Sequence, residues 1–261
     1  MTTIAEQYMN EMNKQFSCFA TWEPGTPLKI GDIGELHHNE FTYVSSLKEK
    51  GMDFNVRVDD SAGDLKYASG RSVKISTKAS GQVALPQFNL DVGDAGIVVQ
   101  FSAEKAVVFE ASGVEHRMIT QVDQLDRYIE REKEADRWQD EWVIISDLMV
   151  AKSATVLISQ GRDANIALRA KANVPNLSLS NVEAQFETAV KNQMNTTIVC
   201  QAGLTPLFKV RGIVRKFGGL GGTKAGAIRD GPVFIKKEVH ASAAHRISNA
   251  GEIPFSPFRL R

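Results

Sequence analysis

The chain has 261 residues, 43% of them apolar, enough for one large or two modest domains with a real core. Its 31 basic and 31 acidic side chains cancel, which argues against a dedicated nucleic-acid binder. Two cysteines make neither a disulfide framework nor a metal cluster, and no run approaches the ~20 apolar residues of a membrane-spanning helix. Residues 2–15 read as a short helix, with Ile4, Tyr8 and Met12 on one side. A short apolar strand over 16–20 is broken by Pro24-Gly25-Thr26-Pro27, and strands over 28–36 and 41–44 flank His37-His38-Asn39. A turn of helix over 45–51 ends at Gly51.

Residues 72–77 alternate with a period of two, and runs over 97–101 and 106–111 flank Ser102-Ala103-Glu104-Lys105 as an expected hairpin. Residues 122–138 give the clearest helix, with Leu125 and Ile129 in an apolar stripe and charge on the other side. Trp142-Val143-Ile144-Ile145 is apolar on both faces, as a central strand is. From 154 to 201 the alternation is nearly continuous, through Val156 and Ile158, Ile166 and Leu168, then Leu177 to Val190. Turn-formers such as Gly161-Arg162-Asp163 interrupt it. Amphipathic runs of this kind suit a soluble sheet or, after rearrangement, a membrane barrel. The expected fold is α+β, a twisted, mainly antiparallel sheet with peripheral helices. Val143, Ile145, Leu148, Val156, Ile158, Leu125 and Ile129 are expected in its core.

After Phe217 the character changes. Gly218-Gly219-Leu220-Gly221-Gly222 and the residues to Gly226 read as a flexible hinge, dividing a body of residues 1–217 from a tail of 218–261. From Thr205 onward there are eleven Lys or Arg and three Asp or Glu, so this end carries +8 and the rest −8. Lys224 and Arg229 suit a trypsin-like protease acting near the hinge, and Val233, Phe234 and Ile235 could anchor the tail on the body. The start of the chain is not a signal peptide, so a cytoplasmic protein with reduced thiols is expected.

No catalytic constellation emerges. Residues 221–226 lack the order of a phosphate loop, His37 and His38 point to opposite faces of a strand, and Cys18 and Cys200 read as buried structural thiols. An enzyme is not expected, nor is any metal or organic cofactor.

The order of elements resembles the pore-forming domain of the gasdermins, in particular the short bacterial members. Three stretches carry the resemblance: Phe16-Ser17-Cys18-Phe19-Ala20 with the Pro-Leu step that follows, Asp123 to Ile129 leading into Trp142 to Asp147, and Gly203-Leu204-Thr205-Pro206-Leu207-Phe208 before the last strand. The resemblance implies a cytoplasmic protein held inactive by its C-terminal segment. A protease would release it, after which it would oligomerise on anionic lipids of the inner membrane and kill the cell, as in defence against phage. It implies as partners that protease, anionic lipid and other copies of the chain, and no nucleic acid. Bacterial members often carry a lipid-modified cysteine near the start, whereas the first cysteine here is Cys18, inside an expected strand. The alternative is a soluble, non-enzymatic α+β binding module that contacts a protein or nucleic acid through its basic tail.

Overall fold

A computed structural model describes residues 3–22, 27–37, 40–59, 63–171, 177–199, 204–215 and 223–228. The chain opens with α1 (Ile4–Phe16), β1 (Phe19–Ala20), β2 (Asp32–His37), β3 (Glu40–Ser46), β4 (Val56–Asp59), β5 (Leu65–Ala68) and β6 (Val73–Lys78). It continues with β7 (Gly96–Phe101), β8 (Val107–Ser112), β9 (Glu115–Ile119), α2 (Val122–Glu134), β10 (Trp142–Ala151), β11 (Ser153–Ser159) and β12 (Asn165–Ala170). It closes with α3 (Val182–Gln185), β13 (Phe186–Asn192), β14 (Met194–Val199), β15 (Leu204–Arg215) and β16 (Thr223–Ile228). Among the described residues every strand pairing is antiparallel.

Helix α1 starts on a reciprocal cap, in which Thr3 Oγ1 accepts from the Glu6 N–H and Glu6 accepts from the Thr3 N–H. It stops where Ser17 turns left-handed at φ 54°. Its buried side, Tyr8, Met9, Met12 and Phe16, carries it onto the sheets. Helix α2 has no side-chain cap and is held instead by Leu125, Tyr128 and Ile129 in the core and by Arg211, whose guanidinium grips both carboxylate oxygens of Asp126.

Three sheets result. The body sheet has eight strands, along the path β1-β15-β10-β2-β3, with β16 beside β15 and β9 then β4 beside β10. Its spine is the long β10–β15 ladder, from Val143 opposite Gly212 to Ala151 opposite Leu204. The middle sheet runs β14-β11-β8-β5 and the outer sheet β13-β12-β7-β6. One hydrophobic cluster joins α1, the body sheet and one face of the middle sheet, including Phe109, Val156 and Ile158. A second joins the other face of the middle sheet, through Val108 and Leu157, to Ile97, Val99, Phe101, Ile166 and Leu168 of the outer sheet. The middle sheet is thus covered on both faces, and β11 is buried throughout. The seven residues expected in the core are all buried.

Three expectations are corrected and one is met. The runs on either side of Ser102-Ala103-Glu104-Lys105 are not a hairpin, because β7 pairs with β6 and β12 while β8 pairs with β5 and β11. The turn of helix expected over 45–51 is met from Ser46 on: Lys50 N–H donates to Ser46 O, and Met52 N–H to Leu47 O and Gly51 N–H to Lys48 O close it where Gly51 turns left-handed at φ 71°. The alternation from Leu177 to Ala184 is not strand: Leu179–Asn181 is a single 3-10 turn and α3 follows. Leu179, Val182 and Phe186 are buried together, at the spacing of one helix face. Part of the expected glycine hinge is strand: β16 pairs with β15 from Val210 opposite Ile228 to Arg215 opposite Thr223. Small side chains at Ala225, Gly226 and Ala227 do not prevent this, since the edge of β15 supplies the hydrogen-bond partners.

Candidate functional site

The middle and outer sheets have the same strand order, and that identity defines the site. Arm one, residues 65–78, contributes β5 to the middle sheet and β6 to the outer one; arm two, 96–112, contributes β8 and β7. Arm three, 153–170, contributes β11 and β12, and arm four, 186–199, contributes β14 and β13. The four arms are two long hairpins lying side by side, both bent where the chain crosses between sheets. Each arm is longer than the ~9–11 residues a transmembrane strand needs.

Side-chain parity runs through the bends. In arm two Ile97, Val99 and Phe101 share parity with Val107, Phe109 and Ala111, yet the first three face the second cluster and the last three the first. A straight strand would put all six on one side. Arm three repeats this with Ala154, Val156 and Ile158 followed by Ala164, Ile166 and Leu168, and arm one with Leu65 and Tyr67 followed by Val73. The opposite parity is more polar, and cross-strand ion pairs already sit on it: Lys66 Nζ lies 2.7 Å from Glu110 Oε1, and Arg169 3.2 Å from Glu187. Arm four breaks the pattern at a bulge beside Ala167 and Leu168, where Lys191 comes opposite Ile166.

The seam between the hairpins is in register on both sides of the bend. Going back ten residues from Phe109 to Val99 matches going on ten from Val156 to Ile166. A Cβ at Gly96 would come 2.5 Å from Leu168 O, so glycine permits the close approach of arms two and three. The tip of the first hairpin, residues 79–95, folds over the outer sheet. Lys78 Nζ donates to Asp91 O and Asp94 O at 2.7 Å each, and Arg169 from arm three reaches both Asp94 and Asn89 O. Val83 and Val92 remain exposed on this tip.

The site residues named from sequence fare unevenly. Arg229, Val233, Phe234 and Ile235 lie outside the described residues, as does Cys200. Lys224 is inside β16, its backbone opposite Val214. Cys18 is 1% exposed, and its Sγ donates to Phe16 O at 3.3 Å. Burial pushes its thiol up to about 12, with Lys209 opposing the shift and Asp147 adding to it. A lipid cannot be attached there in this conformation. With Cys200→Ser leaving Cys18 as the one thiol, alkylation of the folded chain should be far slower than in denaturant, because burial both disfavours the thiolate and shields the sulfur. Equal rates in buffer and in urea would show that the thiol is accessible.

What sequence reasoning missed is the bend, although the crossing turns were visible as polar interruptions. Among the described residues no helix is long and apolar enough to cross a membrane, and no group of three or more His, Cys, Asp or Glu is placed to hold a metal. No protein-family model matches the chain, and no curated protein matches it. Among solved structures it is similar to that of a bacterial gasdermin from Bradyrhizobium tropiciagri, at 13% identity over 85% of this chain and 90% of that one, with a TM-score of 0.34.

Proposed function

We propose that this chain is an autoinhibited pore-forming protein whose two bent hairpins straighten into membrane-spanning strands after its C-terminal segment is cut away. The observation that carries the reading is the shared order of the four arms in the two sheets, with one apolar parity through arms one to three. Straightened, those arms offer lipid an apolar side in each half, interrupted at the crossings by Ser69, Arg71, Lys105, Gln160 and Arg162 of the same parity, and the lumen a polar side that carries Lys66, Glu110, Arg169 and Glu187. Arms one and four are the outer strands of their sheets, with no further partner among the described residues. Arm four of one copy set against arm one of the next would repeat head to tail and close a ring.

The segment beyond Arg229 holds five Lys or Arg and three Asp or Glu, +2 against −2 for the rest, so docking of the tail until cleavage rests mainly on its apolar anchors Val233, Phe234 and Ile235. Lys224 is protected by its ladder with β15, so the productive cut falls at Arg229, which leaves β16 on the body. Limited trypsin digestion followed by mass spectrometry should give a fragment ending at Arg229 before any ending at Lys224. That fragment should release dye from anionic liposomes, which the intact chain should not. A fragment that stays monomeric and releases no dye would reject the pore and leave the soluble binding module.

A further inference from the structure

The four arms change sheet along one line, and every crossing contains one residue in the left-handed region: Gly70 at φ 43°, Lys105 at 60°, Asp163 at 59° and Gln193 at 47°. Three of the four carry a Cβ, which makes this backbone costly, while in a straight strand the same residues would be unstrained. Two serines fasten the line. Buried Ser159 accepts from Ala106 N–H at 2.9 Å and donates to Ala103 O at 2.6 Å. Half-buried Ser69 accepts from Val107 N–H at 2.7 Å and donates to the Glu11 carboxylate of α1 at 2.5 Å. The crossings also fasten one another, since Lys105 N–H donates to Ser159 O and Gln160 N–H to Gln193 O.

We propose that this line is a loaded hinge, in which left-handed residues favour straightening and Ser69 and Ser159 hold the arms bent until activation. The proposal rests on the pore-forming reading and adds where the motion starts and what restrains it. Registers show which seams move. Arms two and three keep one register across the line, so their seam needs no re-pairing. Between arms one and two, six residues from Tyr67 to Val73 match eight from Phe109 to Phe101. Between arms three and four, eight residues from Ile158 to Ile166 match four from Asn195 to Lys191. The outer seams must therefore slip or keep a bulge, and the central one leads. Glu11 ties the first crossing to α1, so loosening α1 would free arm one.

The two kinds of residue make opposite predictions. Glycine at the strained positions, in Lys105→Gly/Asp163→Gly/Gln193→Gly, relieves the bent form and weakens the straight one. Dye release after cleavage should slow at least about 10-fold. Ser159→Ala removes both serine bonds and should speed it about 5-fold. Hydrogen exchange on the uncut chain reads the same hinge without a membrane. The amides of Phe101 and of position 105, corrected for intrinsic rate, whose acceptors Ala164 O and Ser159 O are untouched, should exchange faster in Ser159→Ala and slower in the triple variant. If wild type releases dye but the variants change neither rate, or both shift the same way, the hinge is wrong and the pore stands. If cleaved wild type releases no dye, the pore reading fails. Exchange alone then decides the hinge: opposite shifts at Phe101 and Lys105 keep it, and any other result overturns it.

Discussion

Phe109→Ala should lower the unfolding free energy by about 3–5 kcal/mol, the usual cost of emptying a well-packed aromatic site. Phe109 is fully buried, its ring 5.9 Å from Phe16 and 6.5 Å from Tyr8, so it is the point where α1 seats on the middle sheet. Tyr67 and Val156 flank it on the neighbouring strands, and neither can reach across the space a methyl would leave. Since domains hold only about 5–15 kcal/mol in total, this one substitution takes a large share. Urea denaturation followed by tryptophan fluorescence measures it, and Val83→Ala on the exposed first tip, within about 0.5 kcal/mol of wild type, is the control. A Phe109→Ala midpoint close to that of the control would mean that α1 does not pack there.

Local signals in the sequence were sufficient where burial has a simple period. Met12 and Tyr8 mark α1, Leu125 and Ile129 mark α2, and the doubly apolar Trp142-Val143-Ile144-Ile145 announces the central strand that the β10–β15 ladder makes of it. They failed where the decision is long-range. A left-handed residue at Lys105 or Asp163 leaves the period of two intact, so a bent arm and a straight one have the same alternation. Whether Ser102 to Lys105 is a hairpin turn or a crossing depends on the partners of β7 and β8, and those lie in β6, β12, β5 and β11. Leu179, Val182 and Phe186 have helical spacing, which the strand alternation on either side masks. Glycines around β16 suggested a linker because backbone propensity takes no account of an open edge on β15.

Asp147→Ala should cost about 3–5 kcal/mol, because it strands buried partners rather than merely removing a charge. Asp147 lies on β10 at 4% exposure, with the ring N–H of His116 Nε2 donating to its Oδ1 at 3.1 Å and Ser146 Oγ donating to Oδ2 at 2.7 Å. His116, on the neighbouring β9, is itself 7% exposed, so water does not replace the lost acceptor. Asp147→Asn keeps one carbonyl oxygen and should cost distinctly less. His116→Leu alone leaves the carboxylate with one bond fewer and should also destabilise, but Asp147→Leu/His116→Leu exchanges the pair for apolar volume. A double-mutant cycle by urea denaturation should therefore return a coupling of more than about 1 kcal/mol. Additive single substitutions would mean that the two side chains do not depend on each other, and that β9 is held to the spine by its backbone ladder alone.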